Sequence, residues 1–279
     1  MTVAPSSSFF IDADFMTRTV LVTGASSGIG EALARVFAAE GWDLVITARR
    51  EDRLRALAEQ LARQHGRRVH VVVSDLAAEG AVARMCEEVA ARGITVDGLV
   101  NNAGYGVPGA YVNSTWEQHQ RFLQVMVVAV AELTRRLLPG MLERGYGRIL
   151  NVASLAGLAP APAGHTLYAA SKSFMIKFSE ALAHEVRHRG VHVTAICPGF
   201  TLSEFHDVTG TREMMKDMPW FMWMDSPTVA RQGFDAVMRG TPVMVNGRVN
   251  SAIATLVRIL PHGVLSAVGR RFSRSYRKV

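Results

Sequence analysis

Short apolar runs alternate along the chain with longer stretches whose apolar residues recur at helical spacing. The runs fall at Thr19–Val22, Asp43–Thr47, Val69–Val73, Gly98–Val100, Gly147–Val152, Val191–Ile196 and Thr241–Val245, and each has the length of a strand. Between them the spacing predicts helices over Ile29–Glu40, Glu51–Gln64, Gly80–Arg92, Trp116–Leu142 and Leu167–Arg189, with Gly41, Gly66, Gly93 and Gly190 at C-terminal cap positions. Strands joined by helical crossovers run parallel, so the pattern predicts an open, doubly wound α/β sheet of about seven strands with helices on both faces. Residues 17–250 read as one such domain, preceded by an extension over 1–16 and followed by a basic extension over 251–279. Residues 201–226 break the rhythm and are dense in Met and Trp, including Met214, Met215, Met218, Trp220, Trp223 and Met224. They are expected to form a helical excursion over the sheet edge that either shapes an apolar substrate pocket or covers its own core.

Composition narrows the class. Of the 279 residues, 49% are hydrophobic, enough for a sizeable core and incompatible with disorder as the global state. The two cysteines, Cys86 and Cys197, lack the paired spacing of disulfide frameworks or zinc sites, so no metal is expected and a reducing compartment fits. Residues 1–16 carry Asp12 and Asp14 rather than a basic cluster before an apolar run, which argues against a secretory signal; Met16, directly before the first strand, is an alternative start to Met1. The longest apolar stretch, Phe122–Leu138, is interrupted by Gln124, Glu132, Thr134, Arg135 and Arg136 and reads as a buried helix rather than a membrane span. A cytoplasmic location is the expectation.

The formal net charge of +7 gathers at one end: Arg258, Arg270, Arg271, Arg274, Arg277 and Lys278 occur with no acid after Arg258. Interleaved with Val264, Leu265, Val268 and Phe272, they can form an interfacial helix making peripheral contact with an anionic membrane, or a plain solvated terminal helix. No nucleic-acid partner is expected, because neither a binding module nor a regular basic and aromatic stripe is present.

Two motifs carry chemistry. The run from Thr19 through Gly30 passes from a strand through a turn into a helix and places Gly24, Gly28 and Gly30 at the turn. Glycine there lets backbone amides and a helix N-terminus face a pyrophosphate. About 20 residues on, where an NAD enzyme carries an acid for the ribose hydroxyls, the second strand ends in Ala48, Arg49 and Arg50. Two guanidinium groups, with no carboxylate at the acid's expected place to repel it, suit the 2′-phosphate of NADP, so NADP(H) is preferred over NAD(H); the plainer alternative is a pair of solvated residues opening the next helix.

The second motif is Tyr168 and Lys172, spaced i, i+4 near the start of a long helix and therefore on one face. A phenol with an ordinary pKa of about 10 becomes a usable acid/base when a neighbouring ammonium favours its anion. Ser154 ends the fifth strand just before the loop that returns to that helix, and strand carboxyl ends are where open α/β sheets bind ligands. Its hydroxyl can hold a substrate oxygen against Tyr168, or simply initiate a turn.

Taken in order, Thr23–Gly30, Asp75, Asn101–Gly104, Ser154, Tyr168–Lys172 and Pro198–Gly199 resemble the short-chain dehydrogenase/reductase family, of its compact single-domain kind with a Rossmann-like fold. The likeness covers about residues 17–245. It implies a hydride-transferring oxidoreductase acting on a carbonyl or secondary alcohol, with Tyr168 as general acid/base, Lys172 lowering its pKa and holding the nicotinamide ribose, and Ser154 orienting the substrate oxygen. It also implies a cofactor site built from Gly24, Ser26, Ser27, Gly28, Ile29, Gly30, Arg49, Arg50, Asp75, Leu76, Asn102, Ala103, Gly104, Tyr168, Lys172, Pro198, Gly199 and Thr201. Asp75 would contact the adenine, Asn101 would brace the sheet, and Thr201 and Ser203 would lie near the nicotinamide carboxamide. A homodimer or homotetramer through the helices at 116–142 and 167–189 is implied too.

Two departures qualify the likeness. Met126 stands where the family has an asparagine that supports a water-mediated proton relay, so water must be held otherwise, for instance by backbone carbonyls. One extra residue separates Ser154 from Tyr168. The Met126 substitution supports the competing reading, a non-catalytic NADP-binding sensor or scaffold of the same fold; retention of Ser154, Tyr168 and Lys172 together speaks for the enzyme.

Overall fold

A computed structural model of the protein describes residues 17–107, 109–161, 163–164, 166–204 and 219–260. Seven parallel strands form the main sheet: β1 (Thr19–Thr23), β2 (Asp43–Ala48), β3 (Val69–Val73), β4 (Gly98–Asn101), β5 (Gly147–Val152), β6 (Val191–Cys197) and β9 (Val243–Val245). Their order is β3-β2-β1-β4-β5-β6-β9, so the chain reverses its direction of winding between β1 and β4. That reversal opens a crevice at the strands' carboxyl ends, where such sheets bind ligands.

The helices cover both faces. Helices α1 (Gly28–Ala39), α2 (Glu51–His65) and α7 (Ser226–Arg239) pack on one side, and α3 (Ala81–Ala91), α5 (Ala129–Glu143) and α6 (Thr166–Val186) on the other. Strand residues divide between the two layers with a period of two: Val20 and Val22 face Leu33 and Phe37 of α1, whereas Leu21 faces the side of α3 and α5. All three of these β1 side chains are fully buried, which is why a strand between two helical layers reads as an unbroken apolar run.

The predicted helix over 116–142 is divided. After α4 (Trp116–Leu123), opened by a reciprocal capping box between Thr115 and Gln118, the segment Gln124–Val128 is a π-turn, in which Ala129 N–H donates to the Gln124 carbonyl, and α5 follows. Of residues 201–226, those at 205–218 lie outside the described residues, so the expected helical excursion falls mostly there. The described flanks form β7 (Phe200–Leu202), paired in parallel with β8 (Trp223–Asp225). Helix α8 (Arg248–Ile259) carries the described chain past residue 250 and buries Asn250 and Ala254. Basic residues from Arg270 onward lie outside the described residues. Among those described, no helix is long and apolar enough to cross a membrane.

Side-chain bonds tie the central strands together just below the crevice. Asn101 and Asn151 are register partners on β4 and β5; the Asn101 amide donates to Asn151 Oδ1 at 2.8 Å, and the Asn151 amide donates to Ser179 Oγ on α6 at 2.8 Å. Ser179 passes the chain on to the Met175 carbonyl. All three polar side chains are buried, so removing the middle one takes a hydrogen bond from each of two partners that water does not reach, leaving Asn101 its long bond to Thr134 and Ser179 its bond to Met175. Asn151→Ala is therefore expected to lower unfolding free energy by about 1–3 kcal/mol in chemical denaturation.

Candidate active site

Strand β1 runs into the glycine-rich turn, where Gly24 and Gly28 adopt left-handed φ values of +66° and +60°. A Cβ on Gly24 would stand 2.8 Å from both Ala103 Cα and the Asn102 amide nitrogen. The turn is thus pressed against the end of β4. Thr23 secures it: its hydroxyl donates to the Val100 carbonyl and accepts from the backbone N–H groups of Asn102 and Ala103. The Asn102 amide donates back to the carbonyls of Thr23 and Gly24. Ser27 stands in extended conformation ahead of α1 without capping it through its side chain, which leaves Ser27, Gly28, Ile29 and Gly30 as a helix N-terminus at the head of the crevice.

Arg50, at the head of α2, closes over this turn. Its guanidinium donates to Ser26 Oγ at 3.0 Å and to Ser27 Oγ at 2.7 Å. The end of β2 offers no carboxylate of its own, Glu51 and Asp52 belonging to the first turn of α2, but the fold supplies one: Glu204, just beyond β7, accepts from Arg50 at 2.9 Å and from Arg53 at 2.7 Å. The expectation that no acid shares this corner is corrected accordingly, because 154 residues of chain separate partners that tertiary packing brings together. The hydrogen bonds and charges of Arg53, then Arg50, hold the Glu204 carboxyl down at about 2. Arg49 is exposed. Beyond β3, Asp75 accepts from the Ala77 N–H and pairs with Arg121 of α4 at 2.9 Å, while Leu76 is buried. Burial pushes the Tyr105 phenol up, and the charges of Arg121 and Arg49 oppose that.

Ser154, Tyr168 and Lys172 converge at the end of β5. Ser154 accepts from the Ala156 N–H at 3.2 Å and hydrogen bonds Tyr168 through its side chain. The neighbouring Leu155 N–H donates to the Pro198 carbonyl at 2.8 Å, joining this turn to the end of β6. Lys172 is buried; its ammonium donates to the Val152 carbonyl at 2.7 Å and lies 5.6 Å from the centre of the Tyr168 ring. Burial pulls the Lys172 ammonium down to about 8. Burial also pushes the Tyr168 phenol up, and the Ser154 bond opposes it. In this arrangement the Lys172 ammonium is turned to a backbone carbonyl, and the phenol's shift is set by desolvation with Ser154 opposing it.

The family described as short chain dehydrogenase matches residues 18–213. This chain belongs to the short-chain dehydrogenase/reductase family. Among curated relatives, it is 38% identical to "Sulfoacetaldehyde reductase 2" of Chromohalobacter salexigens over 192 residues, covering 68% of this chain and 75% of that protein. It is 40% identical to "Nodulation protein G" of a Rhizobium species over 190 residues, covering 68% and 76%. Among solved structures, a short-chain dehydrogenase from Sphingobium yanoikuyae in complex with NADPH superposes with a TM-score of 0.75 at 29% identity, over 88% of this chain and 97% of the other. L-Sorbose reductase from Gluconobacter frateurii, complexed with NADPH and L-sorbose, gives 0.72 at 29% identity, over 82% and 94%. The chain is accordingly an NAD(P)-dependent oxidoreductase acting on CH–OH or carbonyl groups.

The residues fit a dinucleotide of the family. A Cβ at Gly24 would collide with the β4 terminus, and the first turn of α1 is left uncapped by a side chain; both suit a backbone cradle for phosphate. Gly104 needs its glycine for another reason, since a Cβ there would stand 2.8 Å from Met126 Sδ. Met126 itself sits in the π-turn, fully buried among Phe122, Val130 and Met175. The position expected to carry the relay asparagine is filled by apolar packing, in a turn whose backbone departs from α-helical bonding.

Gly199 packs on the Asn250 side chain, and Thr201 is buried with its hydroxyl bonded to the Gly199 carbonyl. Motif reading misses Asn250 and Arg53 and gives Thr23, which opens the glycine-rich motif, no role of its own: each acts through a partner remote in the chain. The spacing of Arg50 and Arg53 on one helical face was the available signal for Arg53. In the Met- and Trp-rich stretch, Trp223 packs on Phe200 and Met224 on the core, whereas Trp220 and Phe221 are exposed. The turn at Leu155–Gly157 and the start of α6 are joined by a loop of which Pro162 and His165 lie outside the described residues, so the expected extra residue before Tyr168 is not located.

Met126→Asn places an amide in an apolar cluster. It is expected to lower the melting temperature, at a cost of about 1–3 kcal/mol, without raising kcat; thermal denaturation and steady-state kinetics check both halves.

Proposed function

We infer that this chain is an NADP(H)-dependent reductase of carbonyl compounds, with Tyr168 as the proton donor. The observation that carries the reading is the convergence of Ser154, Tyr168 and buried Lys172 at the carboxyl end of β5. The nicotinamide, when bound, supplies the hydride for reduction or takes it up in the reverse direction.

The remaining work falls to side chains of this protein. Ser154, held at the end of β5, directs its hydroxyl at the Tyr168 phenol, so a substrate oxygen accepting from both is fixed in place. Burial keeps the Tyr168 phenol protonated at neutral pH, which is the form needed to give a proton to an oxygen gaining negative charge. The Lys172 ammonium adds positive charge beneath the same point and, through its bond to the Val152 carbonyl, is oriented by β5. Gly24, Ser27, Gly28, Ile29 and Gly30 would hold the pyrophosphate, and Arg49 with Arg50 the 2′-phosphate. Asp75, Leu76, Asn102, Ala103 and Gly104 would line the adenosine side, and Pro198, Gly199 and Thr201 the nicotinamide side.

A depression beside Tyr168 is lined by Val107, Tyr111, Ser114, His119, Phe122 and Leu167. Its walls are mainly apolar and aromatic, with Tyr111, Ser114 and His119 offering polar atoms, which supports a carbonyl substrate with apolar flanking groups.

Tyr168→Phe is expected to lower kcat for reduction by about 100-fold or more with NADPH still bound, measured by single-turnover oxidation of NADPH. For pH dependence the sign follows from Lys172: its cation is present below about 8 and is lost above. Reductive kcat/KM should therefore hold through neutral pH and fall as pH rises through about 8. Arg49→Ala is expected to reduce the ratio of NADPH to NADH efficiency by about tenfold, equivalent to about 1.4 kcal/mol.

A further inference from the structure

Glu204 occupies the corner in which an NADP(H) enzyme of this fold would receive the 2′-phosphate. Its carboxylate bonds Arg50 Nη1 through Oε2 at 2.9 Å, and Arg53 Nη1 through Oε1 at 2.7 Å and Oε2 at 2.8 Å. The same Arg50 guanidinium reaches Ser26 and Ser27 of the glycine-rich turn, so one acid from beyond β7 is tied through Arg50 to the phosphate-binding end of the crevice. Arg53 lies three residues along α2 from Arg50, on the same face. The contacting side chains are between 38% and 44% exposed, open enough for a ligand to take the carboxylate's place. Held at about 2 by the two arginines, Glu204 is an anion at every ordinary pH.

We propose that Glu204 is a specificity-determining residue that competes with the 2′-phosphate of NADP(H) for Arg50 and Arg53. A carboxylate and a phosphate both satisfy a guanidinium fork through paired oxygens, and two arginines already carrying one anion attract a second less strongly. Glu204 therefore lowers affinity for 2′-phosphorylated nucleotides and leaves the unphosphorylated ribose indifferent. By reciprocity, a ligand that takes the arginines releases Glu204 from them. The inference rests on the NADP(H) reading above and adds a residue that weakens the very preference that reading assigns.

The test uses the full chain and two fragments that report on the adenosine end alone, adenosine 2′,5′-bisphosphate and 5′-AMP, titrated calorimetrically at low salt. Glu204→Gln keeps the shape and removes the charge. It is expected to tighten the bisphosphate by about 3- to 10-fold, with 5′-AMP unchanged within about twofold, and the gain should shrink as salt is raised. Arg53→Ala is expected to weaken the bisphosphate. Unchanged or weaker bisphosphate binding in Glu204→Gln overturns the proposal. Weaker 5′-AMP binding overturns it too and makes Glu204 a ribose ligand. Should Arg50→Ala abolish a wild-type preference for the bisphosphate while Glu204→Gln does not alter it, only the competition is lost. If the wild type has no such preference and Arg49→Ala, Arg50→Ala and Arg53→Ala change nothing, the NADP(H) reading fails and takes the proposal with it.

Discussion

The Thr23 hydroxyl and the Asn102 amide hold the crevice in shape. Between them they make five bonds across the point where β1 and β4 end side by side: one from the hydroxyl to Val100, two accepted from Asn102 and Ala103, and two from the amide back to Thr23 and Gly24. These bonds join the start of the glycine-rich turn to the strand that leads to Gly104. A turn without side chains has few contacts of its own, and its backbone is costly to order. Pinned to β4, it presents the first turn of α1 in one orientation, and Arg50 then finds Ser26 and Ser27 at fixed places.

From β4 the same order is passed sideways. Asn101 meets Asn151 across the register pair, and Asn151 meets Ser179 on α6, the helix that bears Tyr168 and Lys172. Lys172 returns the contact by donating to Val152 on β5. A buried polar network of this kind specifies one alignment of strand and helix, because any slip leaves amides unpaired. It also sets the electrostatics: a lysine buried against a carbonyl is pulled down towards neutral pH, and a phenol buried beside a serine is pushed up. Burial acts on both groups in the direction that favours their neutral forms.

Met126 shows how one residue changes its surroundings without disturbing the fold. Its thioether fills the space against Gly104, in a π-turn that divides the predicted helix at 116–142. The turn inserts a looser backbone step at the position where an asparagine is expected. The apolar cluster around Met126, with Phe122, Val130, Met175 and Ile176, takes in Ala153, next to Ser154, and packs against Tyr168.

Periodicity alone determined the seven strands of the sheet, their parallel direction and most helix limits, because burial on both faces forces near-continuous apolar runs and glycine caps close the helices. Spacing alone likewise paired Tyr168 with Lys172, since i, i+4 is a local relation on any helix. Neither could reveal the π-turn, whose residues have ordinary helical composition, nor the helix α8 that seats Asn250 against Gly199. The protonation tendency of Tyr168 was also beyond reach, because it depends on how deeply the phenol is enclosed and on where the ammonium points. The meeting of Glu204 with Arg50 and Arg53 was decided only by tertiary structure. Linear pattern reports what neighbours on one element can do, whereas charge pairing between the end of β2 and the end of β7 depends on the crossovers that bring two distant strand ends to the same rim.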